Sequence, residues 1–274
     1  MQIACLSGKG GVGKTLLAVN LANVMNKAWF VDCDVEEPNG IQYFGKPDTS
    51  RPIFQKIPHI IDDRCQHCLQ CVDFCRYNAL IDFLGKVKVL PSLCHACGGC
   101  RLVCPHDAIH EVDDLIGLIN QLNYHGKTIL GGELKIGKES GVVLIQELLA
   151  QVPKDVDSVI DCPPGNGCSV MESIEDADYC VLVTEPTIFG LENLKMVVDL
   201  VRVYHKKAGI VINKSMGDDT MIEAFASEEG IDVLGVIPFD KDLAYRNANL
   251  EMVSNQDAGI FLSILDAIRR GVRI

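Results

Sequence analysis

Residues 2–25 read QIACLSGKGGVGKTLLAVNLANVM, and the fold turns on this stretch. Gln2 to Ser7 is an apolar run of strand length, while LLAVNLANVM, from Leu16 to Met25, repeats apolar residues at helical spacing. Between them, Gly8 to Thr15 spells GKGGVGKT, a match to G-x4-G-K-[ST] in the strand, loop and helix setting that the motif requires. Glycines at 8, 10, 11 and 13 let backbone N–H groups curl around a phosphate, and the N-terminus of the following helix adds its dipole. Lys14 is placed to reach β and γ oxygens, and Thr15 to coordinate Mg2+. The expected cradle is Gly8, Lys9, Gly10, Gly11, Val12, Gly13, Lys14, Thr15 and Leu16. The alternative is a glycine turn that binds nothing, which the flanking strand and helix disfavour.

Working outward, Trp29 to Asp32 reads as a second strand and Val156 to Asp161 as another, the latter ending in an aspartate followed by Cys162-Pro163-Pro164-Gly165. Tyr179 to Pro186, Ala208 to Lys214 and Ile231 to Pro238 are β-branched runs separated by helical patterns. This alternation predicts an α/β fold, a mostly parallel sheet flanked by helices. With 274 residues, 48% hydrophobic and 23% charged, the chain suits one or two globular domains and not a disordered or fibrous class. A formal net charge of -12 argues against sequence-independent nucleic-acid binding and against adhesion to anionic membranes. No run of 18 apolar residues occurs, and the opening MQIACLSGKGG lacks the charged and apolar regions of a signal peptide, so a cytoplasmic location is expected.

Eight of the 13 cysteines fall between residues 65 and 104, where random placement would put about two. They form two copies of C-x2-C-x2-C-x3-C, Cys65, Cys68, Cys71 and Cys75, then Cys94, Cys97, Cys100 and Cys104, with corresponding members 29 residues apart. This is the bacterial-type ferredoxin run, in which three close thiolates wrap one [4Fe-4S] cluster and the trailing fourth ligates the other. The crossing assigns Cys65, Cys68, Cys71 and Cys104 to cluster 1, and Cys75, Cys94, Cys97 and Cys100 to cluster 2. Zinc is the alternative for sets of four thiolates, but zinc sites usually pair two C-x2-C units across a longer loop. The second copy ends in Cys104-Pro105, whereas Arg76 follows Cys75. His67 and His95 lie between ligands and are read as solvated or bonded to sulfur.

Lys9 makes the phosphate loop K-G-G-x-G-K-T, which resembles the deviant Walker A of the MinD, ParA and nitrogenase iron-protein group of P-loop NTPases. In that group the first lysine crosses a dimer interface to the partner's nucleotide. The resemblance implies further roles. Asp32-Cys33-Asp34-Val35-Glu36-Glu37-Pro38 is similar to switch I, with Asp34 positioning the attacking water, although acidic residues ending a strand also cap turns. Asp161-Cys162-Pro163-Pro164-Gly165 is similar to Walker B and switch II, with Asp161 holding Mg2+ through water and Gly165 sensing the γ-phosphate. Asn213 sits where the group contacts adenine, and the loop Pro238-Phe239-Asp240 is expected over the base. Lys9, Lys14, Asp34 and Asp161 are thus the candidate catalytic residues, and ATP the expected nucleotide.

The cysteine unit interrupts this ATPase. DVEEPN, GGELKIG, IDCPPG, VLVTEPT and GVIPFD complete a resemblance, over essentially the whole chain, to MinD-superfamily ATPases with an inserted ferredoxin domain. The implied organisation is a first ATPase part at 1–59, the ferredoxin insert at 60–112 and the second ATPase part at 113–274. Segments 41–59 and 113–138, rich in Gly, Pro and polar residues, are expected to be its stems. A homodimer, or a heterodimer with a paralogous ATPase, with ATP at the interface is implied. Three functions fit: ATP-gated electron transfer with a redox partner protein, a cluster carrier like the Mrp-type ATPases, and a positioning ATPase like MinD. No cysteine lies beyond Cys180, which counts against the carrier, while Cys162 and Cys168 are candidates for a third, dimer-bridging site. Phe261 to Ile274, with Arg269, Arg270 and Arg273, is expected to pack on its own sheet, lipid contact being the alternative.

Overall fold

The computed structural model describes residues 1–138 and 140–273; the side chain of Arg273 and all of Ile274, both in the expected terminal helix, lie outside the described residues. In chain order the strands are β1 (Gln2–Leu6), β2 (Trp29–Asp32), β3 (Thr49–Ile60), β4 (Leu80–Phe83), β5 (Lys86–Val89), β6 (Ile109–Tyr124), β7 (Lys127–Leu134), β8 (Ser158–Asp161), β9 (Tyr179–Thr184), β10 (Lys207–Ser215) and β11 (Asp232–Pro238). The helices are α1 (Lys14–Val24), α2 (Gln70–Phe74), α3 (Gly99–Leu102), α4 (Val142–Leu149), α5 (Cys168–Ile174), α6 (Ile188–Val203), α7 (Thr220–Glu229), α8 (Lys241–Ala248) and α9 (Gly259–Arg273). Nine strands make one sheet in the order β11-β10-β9-β1-β8-β2-β7-β6-β3. Every pairing from β11 to β7 is parallel, and β7-β6 and β6-β3 are antiparallel. The α/β, mostly parallel expectation holds.

Strands covered on both faces read as near-continuous apolar runs, and β1, β8 and β9 are buried throughout or nearly so. One face is covered by α4, α5, α6 and α7 through Leu144, Ile145, Ile174, Leu194, Val197 and Ile222. The other is covered by α1 and α9 through Leu17, Leu21, Phe261, Ile264 and Ile268. The terminal helix therefore turns its apolar stripe into the core, as expected, and no helix among the described residues is long and apolar enough to cross a membrane.

The expected stems are largely strands. Most of segments 41–59 and 113–138 belongs to β3, β6 and β7, which widen the main sheet, and the β3–β6 hairpin runs outward to carry the cysteine-rich residues at its far end. Pro52 and Pro58, which argue against a strand, are tolerated because β3 is the outermost strand and needs no further donors. The pairing slips between Ile53 and Phe54, leaving Ile116 as the extra residue of a bulge. Beyond it, β4 and β5 form a separate hairpin closed by Leu84 and Gly85, both at positive φ, the geometry of a two-residue turn.

Candidate functional site

At the hairpin's end the 29-residue sequence repeat is also a repeat of backbone. Positive φ recurs at His67 and Ala96, at Leu69 and Gly98, and at Asn78 and Asp107. Ala79 N–H donates to Cys75 Sγ at 3.3 Å and Ala108 N–H to Cys104 Sγ at 3.4 Å, again a repeat apart, while Ala96 N–H donates to Cys94 Sγ at 3.4 Å. Two cavities result. One, of about 330 Å³, holds Cys75, Cys94, Cys97 and Cys100 in its wall with Pro58, Phe74 and Arg76. The other, tighter at about 20 Å³, holds Cys65, Cys68, Cys71 and Cys104 with Ile60, Val87 and Ile109. These are the two crossed sets read from the spacing.

The lobe's own core is small. Its buried members are Cys71, Leu80, Val87, Cys100 and Ile109, so two of five are cysteines. A unit of this size without a larger core needs an inorganic or covalent staple, yet all its cysteines are free thiols. Burial pushes Cys100 up to about 11 and raises Cys71 and Cys94, the direction that favours protonated thiols until a metal displaces the proton. His67 bonds Asp82 at 3.0 Å, and His95 stacks on Tyr77 with ring centroids 3.7 Å apart in the wall of the cavity of Cys75, Cys94, Cys97 and Cys100.

The second site is the cleft at the C-terminal ends of the parallel strands, where open α/β sheets bind ligands. It measures about 360 Å³ and is lined by Gly10, Gly11, Gly13, Lys14, Thr15 and Leu16 of the phosphate loop, by Ser7, Asp34, Glu37, Asn39, Tyr43 and Pro164, and by Asn247 and Leu250. Gly13 starts α1 at φ 96°, a left-handed conformation, and a Cβ there would lie 2.0 Å from Asn213 Nδ2, so only glycine fits. Gly165 N–H donates to Ser7 O at 2.9 Å, tying the loop after β8 to the end of β1.

Lys14 is buried and donates to Asp161 Oδ1 at 2.6 Å, with Asp34 Oδ2 at 3.8 Å. Burial would lower its pKa, but Asp161, Asp34 and Asp32 outweigh that and hold it above the ordinary lysine value. Burial also drives Asp32 well above the usual carboxylate range, with Asp161 adding to it, and pushes Asp34 up to about 6 against the opposing pull of Lys14. Asp32 Oδ2 accepts from Gly40 N–H at 2.8 Å and Oδ1 from Asp34 N–H at 3.2 Å, so it shapes the 34–40 loop. Asp161 Oδ2 is buried without a partner among the described residues. Asp161, Asp34 and Asp32 thus surround a single buried lysine at the base of the cleft.

Residues 3–252 match the CobQ/CobB/MinD/ParA nucleotide binding domain. The chain belongs to this family. An uncharacterised protein of Methanocaldococcus jannaschii is 31% identical over 271 residues, covering 96% of this chain and 94% of the relative. An iron-sulfur cluster carrier protein of Pyrococcus furiosus is 24% identical over 260 residues, covering 87% of this chain and 74% of the relative. Among solved structures, the Pyrococcus furiosus cell division ATPase MinD superposes with a TM-score of 0.60 at 18% identity, over 98% of each chain.

Within this MinD/ParA-type frame, the expected residues divide. Gly10, Gly11, Gly13, Lys14, Thr15, Leu16 and Asp34 meet in the cleft, with Asp161 bonded beneath them, while Gly8, Lys9 and Val12 are not in its wall. Lys9 is turned into its own chain: it pairs with Glu185 and lies 4.7 Å from the Phe189 ring centroid. Asn213 is buried, its Nδ2 donating to Val12 O at 2.7 Å and its Oδ1 accepting from Lys214 N–H at 2.9 Å, so its side chain anchors the phosphate loop. Pro238, Phe239 and Asp240 do not line the cleft; Phe239 N–H bonds Ser215 O, and Asp240 caps α8. Sequence reasoning missed Tyr43 and Asn247, whose side chains bond at 2.7 Å beside the cleft, because no motif marks residues 204 apart. Cys162 is fully buried and Cys168 is exposed.

Proposed function

We propose that this chain is an ATP-hydrolysing iron-sulfur protein with two [4Fe-4S] clusters, in which nucleotide occupancy gates electron transfer to or from a partner protein. Residues 60–112 are the inserted ferredoxin domain, between ATPase parts 1–59 and 113–274. ATP sits at the interface of a homodimer, or of a heterodimer with a paralogous ATPase. One observation carries this reading: two neighbouring cavities, each walled by four thiols drawn crosswise from both repeats, on a hairpin that extends the ATPase's own sheet. The donor set fits [4Fe-4S] clusters, which would supply one-electron storage; Cys65, Cys68, Cys71 and Cys104 would hold one and Cys75, Cys94, Cys97 and Cys100 the other.

The chain's own residues supply the nucleotide side. Thr15, and Asp161 through water, would hold Mg2+, which would supply charge to the phosphates, and Lys14, now bonded to Asp161, would turn to the β and γ oxygens. Asp34 orients the attacking water, and the Gly165 backbone senses the γ-phosphate. Lys9 must leave Glu185 to reach a partner's nucleotide. Driving a two-state switch from 1:99 to 99:1 takes about 5.5 kcal/mol of differential binding, which these charged contacts to one γ-phosphate can supply.

A second reading, cluster delivery, is favoured by the name of the Pyrococcus furiosus relative. It predicts that clusters leave the protein on turnover. Anaerobic purification followed by iron, inorganic sulfide and zinc analysis, with ATPase assays on the same sample, tests the main reading. Equal iron and sulfide with nucleotide hydrolysis supports it; zinc without sulfide, or no hydrolysis, contradicts it.

A further inference from the structure

The cleft and the cysteine lobe are joined by a continuous set of contacts through the residues that follow β7. Beside Asp34, Val35 is buried and its carbonyl accepts from Leu134 N–H at 2.8 Å. Its side chain fills space left by two glycines: a Cβ on Gly132 would lie 2.6 Å from Val35 Cγ1, and one on Gly141 2.4 Å from Val35 Cγ2. Val35 therefore cannot shift without moving the end of β7 or the start of α4. One residue on, Lys135 N–H donates at 2.8 Å to the carbonyl of Ile116, the bulged residue of the hairpin. Lys138 then forms an ion pair with Asp114, just beyond the bulge, with side chains only 11% and 17% exposed. Gln55 of β3 donates to the same carboxylate at 3.2 Å.

We propose that residues 134–138 act as a strut that carries the position of Val35 to the cavity of Cys75, Cys94, Cys97 and Cys100, with the Lys138–Asp114 pair as its joint. This deepens the proposed function and rests on it. The direction of the route is fixed by the hairpin. Pro58, in the wall of that cavity, lies two residues nearer the main sheet along β3 than Ile60, which walls the other. A half-buried ion pair is a costly joint for stability alone, since desolvation offsets much of its attraction. It is an effective one for fixing geometry beside a bulge, the point where a hairpin bends.

The test uses the full-length, cluster-loaded protein under anaerobic conditions, with hydrogen exchange of β6 and electron paramagnetic resonance of both clusters, with and without Mg-ATP. In the wild type, Mg-ATP changes exchange around Asp114 and alters the signal of one cluster. Lys138→Met abolishes both changes while ATP affinity is unchanged, and the charge swap Lys138→Asp with Asp114→Lys restores them. Should Lys138→Met fail to fold, Asp114→Asn combined with Lys138→Met reads the same loss without a lone buried charge. Retention of both changes in these variants, or equal responses of the two clusters in the wild type, overturns the strut and leaves the proposed function standing. A wild type with no nucleotide response at either cluster overturns the proposed function, and the strut with it.

Discussion

Lys14 and Asp161 are hydrogen-bonded at 2.6 Å beneath the phosphate loop, and the second oxygen of Asp161, Oδ2, is buried beside that bond without a partner among the described residues. A buried carboxylate oxygen left unsatisfied costs about 1–3 kcal/mol or more, which a ligand that reaches it recovers. On the proposed function, Mg2+ bound through water at Asp161 and phosphate at Lys14 would each add a partner to this pair.

Asp161→Asn keeps the shape and removes the charge. Mg2+-dependent hydrolysis should fall by about 10²–10³-fold, the usual scale for losing one preorganised electrostatic partner. Steady-state kinetics across a Mg2+ titration measures it, and wild-type turnover at ordinary Mg2+ would show that another group holds the metal.

The pH dependence of stability follows from Asp34. Its folded-state pKa, raised to about 6 chiefly by burial, means that the folded chain holds a proton the unfolded chain has already released. The Asp34 contribution to the stability of the nucleotide-free protein should therefore be fully present below the ordinary aspartate range and be lost as pH rises from there through about 6, read as the difference between wild type and Asp34→Asn. Denaturant melts across that window test the sign, and Asp34→Asn should flatten the decline. A rise over the same window contradicts the assignment.

Asn213→Ala separates two roles. As an anchor of the phosphate loop through Val12 O, the amide contributes about 0.5–1.5 kcal/mol, and its loss should weaken ATP and inorganic triphosphate binding alike. Selective loss of ATP would instead mean that the side chain turns to read the base. Calorimetric titration with both ligands distinguishes them.

The crossed thiol sets make an equally sharp forecast. Cys75→Ala lies in the first run, yet it should remove the cluster shared with Cys94, Cys97 and Cys100 and leave the other intact, halving the iron per chain. Iron quantitation with electron paramagnetic resonance reads this, and loss of the Cys65 cluster signal would mean uncrossed ligation.

Much of this architecture is legible in the sequence because local rules agree with the tertiary outcome. The phosphate loop, the aspartate ending β8 and the cysteine spacing each fix chemistry within a few residues. The β3–β6 hairpin was hidden by Pro52 and Pro58, which are harmless only on an edge strand, and edge position is a property of the assembled sheet. Asn213 illustrates the same limit, since ending a strand in asparagine fits a base contact or a loop anchor equally until Val12 is seen 2.7 Å away. Lys138 and Asp114 carry no motif, and only the fold brings them together.

The central claim is that nucleotide in the cleft is felt at the thiol-held metals. Its most direct test is the reduction potential of each cluster in the anaerobically purified protein, titrated with and without saturating Mg-ATP. The account predicts that the potential of the cluster at Cys75, Cys94, Cys97 and Cys100 shifts when nucleotide binds. Identical potentials for both clusters in the empty and fully occupied protein would contradict it.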